Sequence, residues 1–534
     1  MPMTTAPTEQ PEQGVTPDIV RRLIAIVGAD AVTAQDDLMS DPDWPLRDPY
    51  WVPGDETYTA GVAVHPTTTE QVQEIVRLAN ETGLPVSTHS QGRNNGYGGS
   101  SPRVGGSISL SLRRMNRVLE INEELAYAVV EPGVRWFDLY DELRARGSRL
   151  QVSVPDLGWG SVVGNSLDNG VTYLPYGADF QAPCGMEVVL PDGSLLRTGM
   201  GAMPDNPAWH TYKRGVGPTL DPLFIQSNFG IVVRMGVWLM PSPEAYAPLL
   251  LTVAADGDLP RAIDTVRELR LANRLRGVPS FYNTLMAATM TGVADVIARA
   301  EKGFLPDDDV QRIADETGLG RWYLRSALWG SRAEVDLQVR QVREAWERIP
   351  GSTLSVQGVY GPDEYARIAS ISDRITAGVP NLDVIKHKGE GFGHIGIAPI
   401  VPMVGDRVME VVDLVRDIIE QRTGLNYKAG ILVVNERSCA LVSSINFDPR
   451  DPEQARAAYA TARELVAELA ARGYSEYRAH LDFMEDVAGF MSWNDHAYRR
   501  FVTRIKDAID PAGVLSPGRY GIWPSSRGSH PPRS

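Results

Sequence analysis

The chain has 534 residues, which is enough for about two to four domains. Apolar residues make up 43% and charged residues 22%, close to the values of globular proteins, so a large buried core is expected and wholesale disorder is excluded. The 52 basic and 67 acidic residues leave a net charge of −15, and without a run of Lys and Arg this charge disfavours nucleic acid and anionic membranes as partners.

The numbers of cysteine and histidine residues and the polarity of the N-terminus further restrict the class of protein. Cys184 and Cys439 are too few for a disulfide framework, and the eight histidines lack zinc spacing, so no metal site is expected. Residues 1–16 are polar and lack the apolar core of a signal peptide, and the most apolar short run, residues 395–404, is too short to cross a bilayer. We therefore expect a cytoplasmic, acidic globular protein.

The first half of the chain mixes helix and strand signals. Thr16 followed by Pro17 predicts the start of a helix. Residues 66–71 resemble a capping box and predict a second helix that stops at Gly83. Residues 108–112 alternate Ile and Leu with Ser, which predicts a half-buried strand. Further strands are predicted at 84–88 and 126–131, and a helix at 136–146.

The second half is richer in long amphipathic helices. These are predicted at 259–276, 332–348, 406–423 and 452–472, with a strand pair at 429–435 and 438–446. After residue 494 the glycine, proline and aromatic content of the first half returns. We therefore predict an α+β fold in two domains: residues 1–242 form most of the first, 243–494 form an inserted domain with an antiparallel sheet, and 495–534 return to the first.

Three glycine-rich segments are the first candidates for chemistry: residues 91–99, 155–165 and 226–232. Glycines allow successive N–H groups to point into one concavity, which suits a diphosphate. A plain turn, or three unrelated loops, is the alternative interpretation. The GxGxxxG at 158–164 does not indicate a nicotinamide site, because the helix after it can run only over residues 161–168, too short for a βαβ crossover.

Nine motifs match one known family in the family's own order: GRNNGYGG (92–99), PDLGWGSVVGN (155–165), GVTYLPYG (170–177), RTGMGA (197–202), QSNFGIV (226–232), GHIG (393–396), EYR (476–478), PGR (517–519) and GIWP (521–524). On these residues the chain resembles the vanillyl-alcohol oxidase and p-cresol methylhydroxylase flavoproteins, most of all the bacterial eugenol oxidases. The resemblance implies an FAD-binding first domain, a substrate cap as the inserted domain, and a covalent bond between His394 and the flavin.

The same resemblance implies that Tyr97, Tyr477 and Arg478 bind a phenol and that Asp156 acts beside the flavin. Holding a phenol with a pKa of about 10 ionised at pH 7 costs roughly 4 kcal/mol. Charge-assisted hydrogen bonds contribute about 1.5–3 kcal/mol each, so two tyrosines and an arginine suffice where one tyrosine does not. From the sequence alone, Asp156 is equally well interpreted as the N-cap of the helix after it.

The family's other site positions carry over to two sets of residues. Those implied to bind FAD are Gln91, Gly92, Arg93, Asn94, Asn95, Gly96, Pro155, Gly160, Ser161, Gly164, Asn165, Tyr176, Ser227, Gly230, Val232 and Arg519. Those implied to line the substrate pocket are Val171, Tyr173, Ala398, Gly430 and Leu432. Ala398 stands where relatives often carry serine and Gly430 where the nearest carry glutamine, so we hypothesise a pocket enlarged for syringyl phenols.

The implied activity is FAD-dependent oxidation of 4-hydroxybenzylic alcohols and of 4-alkyl or 4-allyl phenols, with O₂ as acceptor and H₂O₂ as product. A cytochrome-coupled dehydrogenase or hydroxylase is the alternative, disfavoured by His394, since p-cresol methylhydroxylases link flavin through tyrosine. A flavin-carrying binding protein without activity is a further alternative. The family also implies a homodimer.

Overall fold

The computed structural model describes residues 14–34, 48–177, 181–387 and 393–527, which include every predicted site residue. Helices of the first half are α1 (Pro17–Val27), α2 (Thr69–Thr82), α3 (Trp136–Ala145) and α4 (Val162–Leu167). Its strands are β1 (Val32–Ala34), β2 (Val62–Val64), β3 (Val86–His89), β4 (Ile108–Ser111), β5 (Val118–Asn122), β6 (Tyr127–Val130), β7 (Leu150–Gln151), β8 (Pro183–Val189), β9 (Leu195–Arg197), β10 (Ile231–Trp238) and β11 (Met240–Pro241).

The predicted helix boundaries of the first half are confirmed by their caps. The Thr16 hydroxyl accepts a hydrogen bond from Ile19 N–H at the start of α1, and the Thr68 hydroxyl does the same for Gln71 at the start of α2. α2 ends at Gly83, whose φ of +69° favours glycine. α4 has only six residues, which confirms that no nicotinamide-type crossover helix follows the glycine-rich segment.

Two larger sheets, and a two-stranded pair of β7 with β11, organise the described part of the first half. One has the strand order β1-β2-β4-β3, with β4 parallel to both its neighbours, and the other is antiparallel with the order β5-β6-β10-β8-β9. The prediction that residues 108–112 form a half-buried strand was wrong, because all of β4 is buried. β4 is central in its sheet, and the buried Ser109 hydroxyl pairs with Nε2 of His89 at 3.0 Å, so a serine here does not indicate exposure.

The second half is built on one large sheet. Its strands are β12 (Ala245–Val253), β13 (Ser280–Asn283), β14 (Trp322–Gly330), β15 (Thr353–Val356), β16 (Gly393–Ile397), β17 (Ile400–Pro402), β18 (Lys428–Leu432) and β19 (Ser438–Phe447). Its helices are α5 (Leu259–Leu271), α6 (Thr284–Thr291), α7 (Ala294–Lys302), α8 (Asp307–Thr317), α9 (Arg332–Trp346), α10 (Ile371–Thr376), α11 (Asp383–His387), α12 (Gly405–Thr423), α13 (Pro452–Ala471), α14 (Met484–Phe490) and α15 (Trp493–Ile509).

This sheet is antiparallel throughout, with the order β15-β12-β14-β13-β18-β19-β16 and β17 also paired with β19. Its core includes buried residues of α5, α9, α12 and α13, so the predicted helices over an antiparallel sheet are confirmed. α5 ends five residues before its predicted end, and Asn273 beyond it has a φ of +53°. No helix in the described residues has the length and apolar character needed to span a membrane.

The C-terminal residues return to the first half. Val86 N–H donates to the carbonyl of Val514 at 2.8 Å, and Ser516 N–H donates back to the carbonyl of Val86 at 2.7 Å. The buried Lys506 ammonium donates to the carbonyls of Asn228 and Leu515. These contacts agree with a discontinuous first domain, while the boundaries at 242 and 494 stay predictions.

Candidate functional site

The three glycine-rich segments line one open cavity of about 1280 Å³. The predicted FAD residues that line it are Gln91, Gly92, Arg93, Asn94, Gly160, Ser161, Gly164, Asn165, Ser227, Gly230, Val232 and Arg519. Arg478 and Asp168 also line it. The segments therefore form one site and are not unrelated loops.

Four of the predicted FAD residues lie elsewhere. Asn95, Gly96 and Pro155 do not line this cavity. Tyr176 lines a second cavity of about 1060 Å³, to which Val171 and Tyr477 also contribute. Asn165 lines both cavities and so lies between them.

The wall of the first cavity fits a large polar cofactor such as FAD. Four buried side-chain atoms there have no hydrogen-bond partner within the described part of the chain: His89 Nδ1, Asp168 Oδ1, Asn228 Oδ1 and Arg478 Nη2. Buried polar atoms are normally paired, so these atoms point to a polar guest. Burial lowers the pKa of His89 to about 3, helped by His65 and Arg113, so its ring is neutral.

The close approach of the loops depends on glycine. A Cβ on Gly164 would lie 2.0 Å from Oγ and 3.2 Å from Cβ of Ser90, so a larger residue at this position would force the Ser90 side chain to move. Gly92 has a φ of +63°, which places it in the region that favours glycine. The backbone thus provides the concavity that the glycine spacing predicts.

His394 lies in β16 against the first glycine-rich segment. A Cβ on Gly96 would lie 2.6 Å from Nε2 of His394, and Gly396 N–H donates to the carbonyl of Gly96 at 3.0 Å. The ring of Tyr50 lies 5.2 Å from the His394 ring, measured between centroids. β16 therefore carries this histidine to the rim of the loop whose neighbouring residues line the first cavity.

The three predicted phenol-binding residues lie together. The guanidinium carbon of Arg478 is 5.3 Å from the ring centroid of Tyr97 and 5.4 Å from that of Tyr477. Burial and the neighbouring Tyr477 raise the pKa of Tyr97, and burial raises the pKa of Tyr477, so both hydroxyls stay protonated and can donate. Burial acts to lower the pKa of Arg478, but Tyr477, Asp168 and Tyr97 hold it above its ordinary value.

Asp168 is a site residue that the sequence analysis missed. Its backbone carbonyl accepts from Arg478 Nε at 2.9 Å, and its carboxylate lies 3.4 Å from the same nitrogen. The carboxylate also accepts from Asn94 Nδ2 at 2.6 Å. Burial lowers the pKa of Arg519, Asp168 opposes that shift and Arg478 adds to it. The Asp168 carboxylate thus acts on two arginines of the cavity, Arg478 and Arg519.

Asp156 is not the N-cap of the helix after it. The hydroxyl of Ser161 fills that position and accepts from Gly164 N–H at 2.9 Å. The Asp156 carboxylate instead accepts from the Tyr173 hydroxyl with one oxygen and from Arg325 Nη1, 3.1 Å away, with the other. Its side chain remains 31% exposed, so the carboxylate keeps an open face.

The remaining predicted pocket residues lie on the large sheet or beside it. Ala398 follows β16, its N–H donates to the Glu476 carboxylate, and its carbonyl accepts from Tyr477 N–H at 3.1 Å. Gly430 and Leu432 belong to β18, and a Cβ on Gly430 would lie 3.3 Å from Cε1 of Tyr282. Among the described residues, no cluster of His, Cys, Asp and Glu is arranged to hold a metal ion.

Comparison with known proteins defines the class first. The family described as "FAD binding domain" matches residues 60–199, and the one described as "FAD linked oxidases, C-terminal domain" matches residues 440–520. Both matched segments contribute to the first cavity. The chain is therefore an FAD-linked oxidoreductase.

Individual relatives narrow the class to a family. The chain is 33% identical over 515 residues to the 4-cresol dehydrogenase [hydroxylating] flavoprotein subunit of Pseudomonas putida, which covers 96% of both chains. It is 31% identical over 518 residues to 1'-carboxy-chondrochloren decarboxylase of Chondromyces crocatus, covering 88% of this chain and 92% of that one.

Two solved structures share the fold. One is 4-ethylphenol oxidase from Gulosibacter chungangensis in complex with isoeugenol, with a TM-score of 0.89, 35% identity, and coverage of 96% of this chain and 99% of that one. The other is p-cresol methylhydroxylase with substrate bound, with a TM-score of 0.87, 32% identity, and coverage of 96% and 98%. The chain belongs to the vanillyl-alcohol oxidase and p-cresol methylhydroxylase family, as the resemblance predicts, and its α+β two-domain fold is that of the family.

Proposed function

We propose that the protein is an FAD-dependent oxidase of para-substituted phenols, which removes a hydride from the benzylic carbon. The observation that carries the proposal is the grouping of Tyr97 and Tyr477 around the Arg478 guanidinium, where Arg478 lines the first cavity and Tyr477 lines the second. The names of the relatives, which act on 4-cresol and 4-ethylphenol, support the same substrate class.

The grouping favours ionisation of the substrate rather than of the protein. Because burial raises the pKa values of Tyr97 and Tyr477, both tyrosines stay protonated and donate to the substrate oxygen instead of ionising themselves. Arg478 supplies the positive charge, and its unpaired Nη2 is free to donate to the substrate oxygen. The substrate is then bound as phenolate, whose charge spreads toward the benzylic carbon.

Asp156 has two roles in this proposal. Its negative charge stabilises the partial positive charge that develops at the benzylic carbon as the hydride leaves the phenolate and a neutral p-quinone methide forms. It then takes a proton from the water whose oxygen attacks the benzylic carbon, which restores the phenolate as an alcohol. A substrate that is already an alcohol loses its own hydroxyl proton instead and leaves as the aldehyde. When bound, FAD would supply the acceptor for this hydride and the route by which two electrons, with two protons, convert O₂ to H₂O₂.

We also infer that His394 is the residue that attaches FAD covalently. The support is its position against Gly96, beside the cavity that fits FAD. In the test, the purified protein is denatured and precipitated, and the yellow colour is followed. It should stay with the polypeptide, and His394→Ala should release it without unfolding the chain. Colour that leaves the wild-type polypeptide contradicts the attachment.

A 4-alkylphenol dehydrogenase or hydroxylase with another electron acceptor is the second candidate. The observation that favours it is the 33% identity to a 4-cresol dehydrogenase flavoprotein subunit. Oxygen consumption during turnover distinguishes the two, since an oxidase consumes one O₂ per substrate and the alternative requires an added acceptor. Homodimer formation, tested by analytical ultracentrifugation, and a cytoplasmic location stay predictions.

The test of the phenolate step compares 4-hydroxybenzyl alcohol with 4-methoxybenzyl alcohol, which has a similar size but cannot ionise. Anaerobic mixing with the FAD-loaded protein should bleach the flavin with the first compound only. Equal bleaching by both would contradict the roles of Tyr97, Tyr477 and Arg478, and bleaching by neither would contradict the proposed function.

A further inference from the structure

A buried arginine of the large sheet contacts the carboxylate of Asp156. Arg325 lies in β14 and none of its side chain is exposed. Its Nη1 donates to Asp156 Oδ1 at 3.1 Å and to Ser372 Oγ at 3.3 Å. Its guanidinium carbon lies 4.0 Å from the ring centroid of Tyr173, whose hydroxyl donates to the other oxygen of Asp156. Asp156 is thus held from both halves of the chain.

The cost of burying this charge argues for a role beyond packing. Desolvation offsets much of the attraction within a buried ion pair, so such a pair is weak evidence for stability. Arg325 Nε and Nη2 are also buried without a hydrogen-bond partner among the described residues. The rest of β14 is largely apolar, and an uncharged residue at position 325 would avoid these costs.

We infer that Arg325 is a positioning residue, which fixes the direction of the Asp156 carboxylate and keeps a positive charge beside it without touching the substrate. This inference rests on the proposed function, in which Asp156 assists hydride loss and then accepts a proton from water. A carboxylate that rotates away from the benzylic carbon does neither. The charge-assisted hydrogen bond from Arg325 Nη1 to Asp156 Oδ1 holds the carboxylate in one direction.

The groups that face Arg325 decide how its effect depends on pH. Burial raises the pKa of Tyr282 to about 12 and raises those of Tyr246 and Tyr323, so these hydroxyls stay neutral at physiological pH. Burial raises the pKa of Asp373 to about 6, although the Ser370 hydrogen bond and Arg325 act to lower it. Asp373 therefore changes charge near pH 6, and the experiment must separate its effect on the rate from that of Arg325.

The test compares Arg325→Gln, which keeps hydrogen-bond donors without the charge, with Arg325→Lys, which keeps the charge. Arg321→Gln is the matched control, because Arg321 is a buried arginine four residues away that pairs with Asp256 and Asp307 instead. Two quantities are measured on the full-length, FAD-loaded protein: the anaerobic rate of flavin bleaching by 4-hydroxybenzyl alcohol at pH 6 to 9, and the Kd of the product 4-hydroxybenzaldehyde from the flavin absorbance shift.

We expect Arg325→Gln to slow bleaching about tenfold or more over pH 6 to 9, because the Asp156 carboxylate loses the charged donor that orients it. The Kd should stay within about twofold of the wild-type value, because the hydrogen bonds of Arg325 go to Asp156 and Ser372 and not to Tyr97, Tyr477 or Arg478. Arg325→Lys should keep the wild-type pH profile, with a rate within about threefold. Arg321→Gln should lower the Tm and leave rate and Kd unchanged.

Three results would each overturn the inference. The first is an equal loss of rate in Arg325→Gln and Arg325→Lys, and the second is a Kd that weakens in parallel with the rate. The third is a wild-type rate in Arg325→Gln. If Arg325→Gln does not fold, the inference is judged on Arg325→Lys alone. A tenfold slower bleaching rate or a shifted pH profile in Arg325→Lys would then show that the positive charge at position 325 is not what supports the reaction. The loss of rate caused by Arg325→Gln must persist when Asp373→Asn is added. If no phenol bleaches the flavin of the wild-type protein, both the proposed function and this inference are wrong. If 4-hydroxybenzyl alcohol bleaches it, the proposed function stands and the variants test Arg325 separately.

Discussion

Gly396 lies directly against the ring of Tyr97: a Cβ on Gly396 would be 2.3 Å from Cζ of the tyrosine and 2.5 Å from its hydroxyl oxygen. No side chain fits there without moving one of the two. The second glycine of GHIG in β16 thus sets the position of the tyrosine hydroxyl, as Gly96 of the facing loop sets the space for His394. The GHIG motif and the GRNNGYGG motif are about 300 residues apart in the sequence, and they pack against each other with complementary shapes.

Gly396→Ala should displace the Tyr97 ring and reduce kcat/KM for phenols by up to about 100-fold, since a shift of about 1 Å in a binding group has effects of this size. Gly257→Ala is the control, because a Cβ at that position meets no atom within 4 Å. Steady-state kinetics with 4-hydroxybenzyl alcohol check it, and a variant with unchanged kcat/KM would show that the ring moves without consequence.

Tyr97→Phe should reduce kcat/KM about 10- to 150-fold at pH 7, because one charge-assisted hydrogen bond of about 1.5–3 kcal/mol is lost. The loss should shrink as pH approaches the pKa of the free phenol, where the substrate arrives ionised. Tyr427→Phe removes a buried hydroxyl that pairs with Ser443 instead and should leave the profile unchanged. A pH-independent loss in Tyr97→Phe contradicts the assigned role.

Asp168→Asn should raise KM for phenols about tenfold, equivalent to about 1.4 kcal/mol, because Arg478 loses the negative partner that orients it. Asp221→Asn is the control, since Asp221 is a buried aspartate that accepts from Gly185 N–H and lines neither the first nor the second cavity. Unchanged KM in Asp168→Asn would mean that the backbone carbonyl of residue 168 suffices to hold the arginine.

Glu476 gives a pH prediction with a definite sign. Burial raises the pKa of its carboxyl to about 8 from an ordinary 4.5, although Ala398 N–H opposes the shift. Between pH 4.5 and 8 the carboxyl group is therefore protonated in the folded protein and ionised in the unfolded chain. Because the unfolded state binds fewer protons, this group lowers the stability of the folded state as pH rises from 4.5 to 8. Glu476→Gln should raise the Tm relative to wild type at pH 9 and leave it unchanged at pH 4.

The same ionisation should affect activity. Above pH 8 a second negative charge lies near Tyr97 and Tyr477, where it repels the bound phenolate, so wild-type kcat/KM should fall on the alkaline side. Glu476→Gln should remove this fall. If kcat/KM of Glu476→Gln still falls above pH 8, the fall is caused by the ionisation of another group.

Gly430→Gln should shift substrate preference from syringyl toward guaiacyl alcohols. The added side chain would compete for space with the ring of Tyr282, which already lies 3.3 Å from a Cβ at this position. The ratio of kcat/KM for the two alcohols should change about tenfold, the equivalent of one or two methyl groups in a tight pocket. A wild-type protein that prefers guaiacyl alcohol strongly would contradict the enlarged pocket.

Local signals predicted the helices well, because caps act over a few residues. Thr16 and Thr68 occupy the predicted N-cap positions, and Gly83 ends its helix. The burial of β4 was mispredicted, since alternating serines indicate exposure only when no partner covers them. Position in the sheet, which the local sequence does not contain, decided it.

The candidate site shows the same division. The glycine-rich segments predicted the cavity, and the family motifs predicted the phenol residues. Asp168 and Arg325 were missed because their partners lie far away in sequence, 169 residues in the case of Arg325 and Asp156. A signal for Arg325 was present: a charge in the middle of the apolar run WYLRSALW, where a strand buried on both faces admits a charge only if it is paired.

Arg478 reaches back across 310 residues to Asp168 and across 384 residues to Asn94. A ribosome that adds about 5–20 residues per second needs roughly 20 to 80 seconds to travel from one partner to the other. During that interval the nascent chain contains the glycine-rich segment 91–99 but not yet Arg478. Assembly of the pocket is therefore among the last events in biosynthesis, and a truncated translation product that stops before residue 478 lacks it entirely.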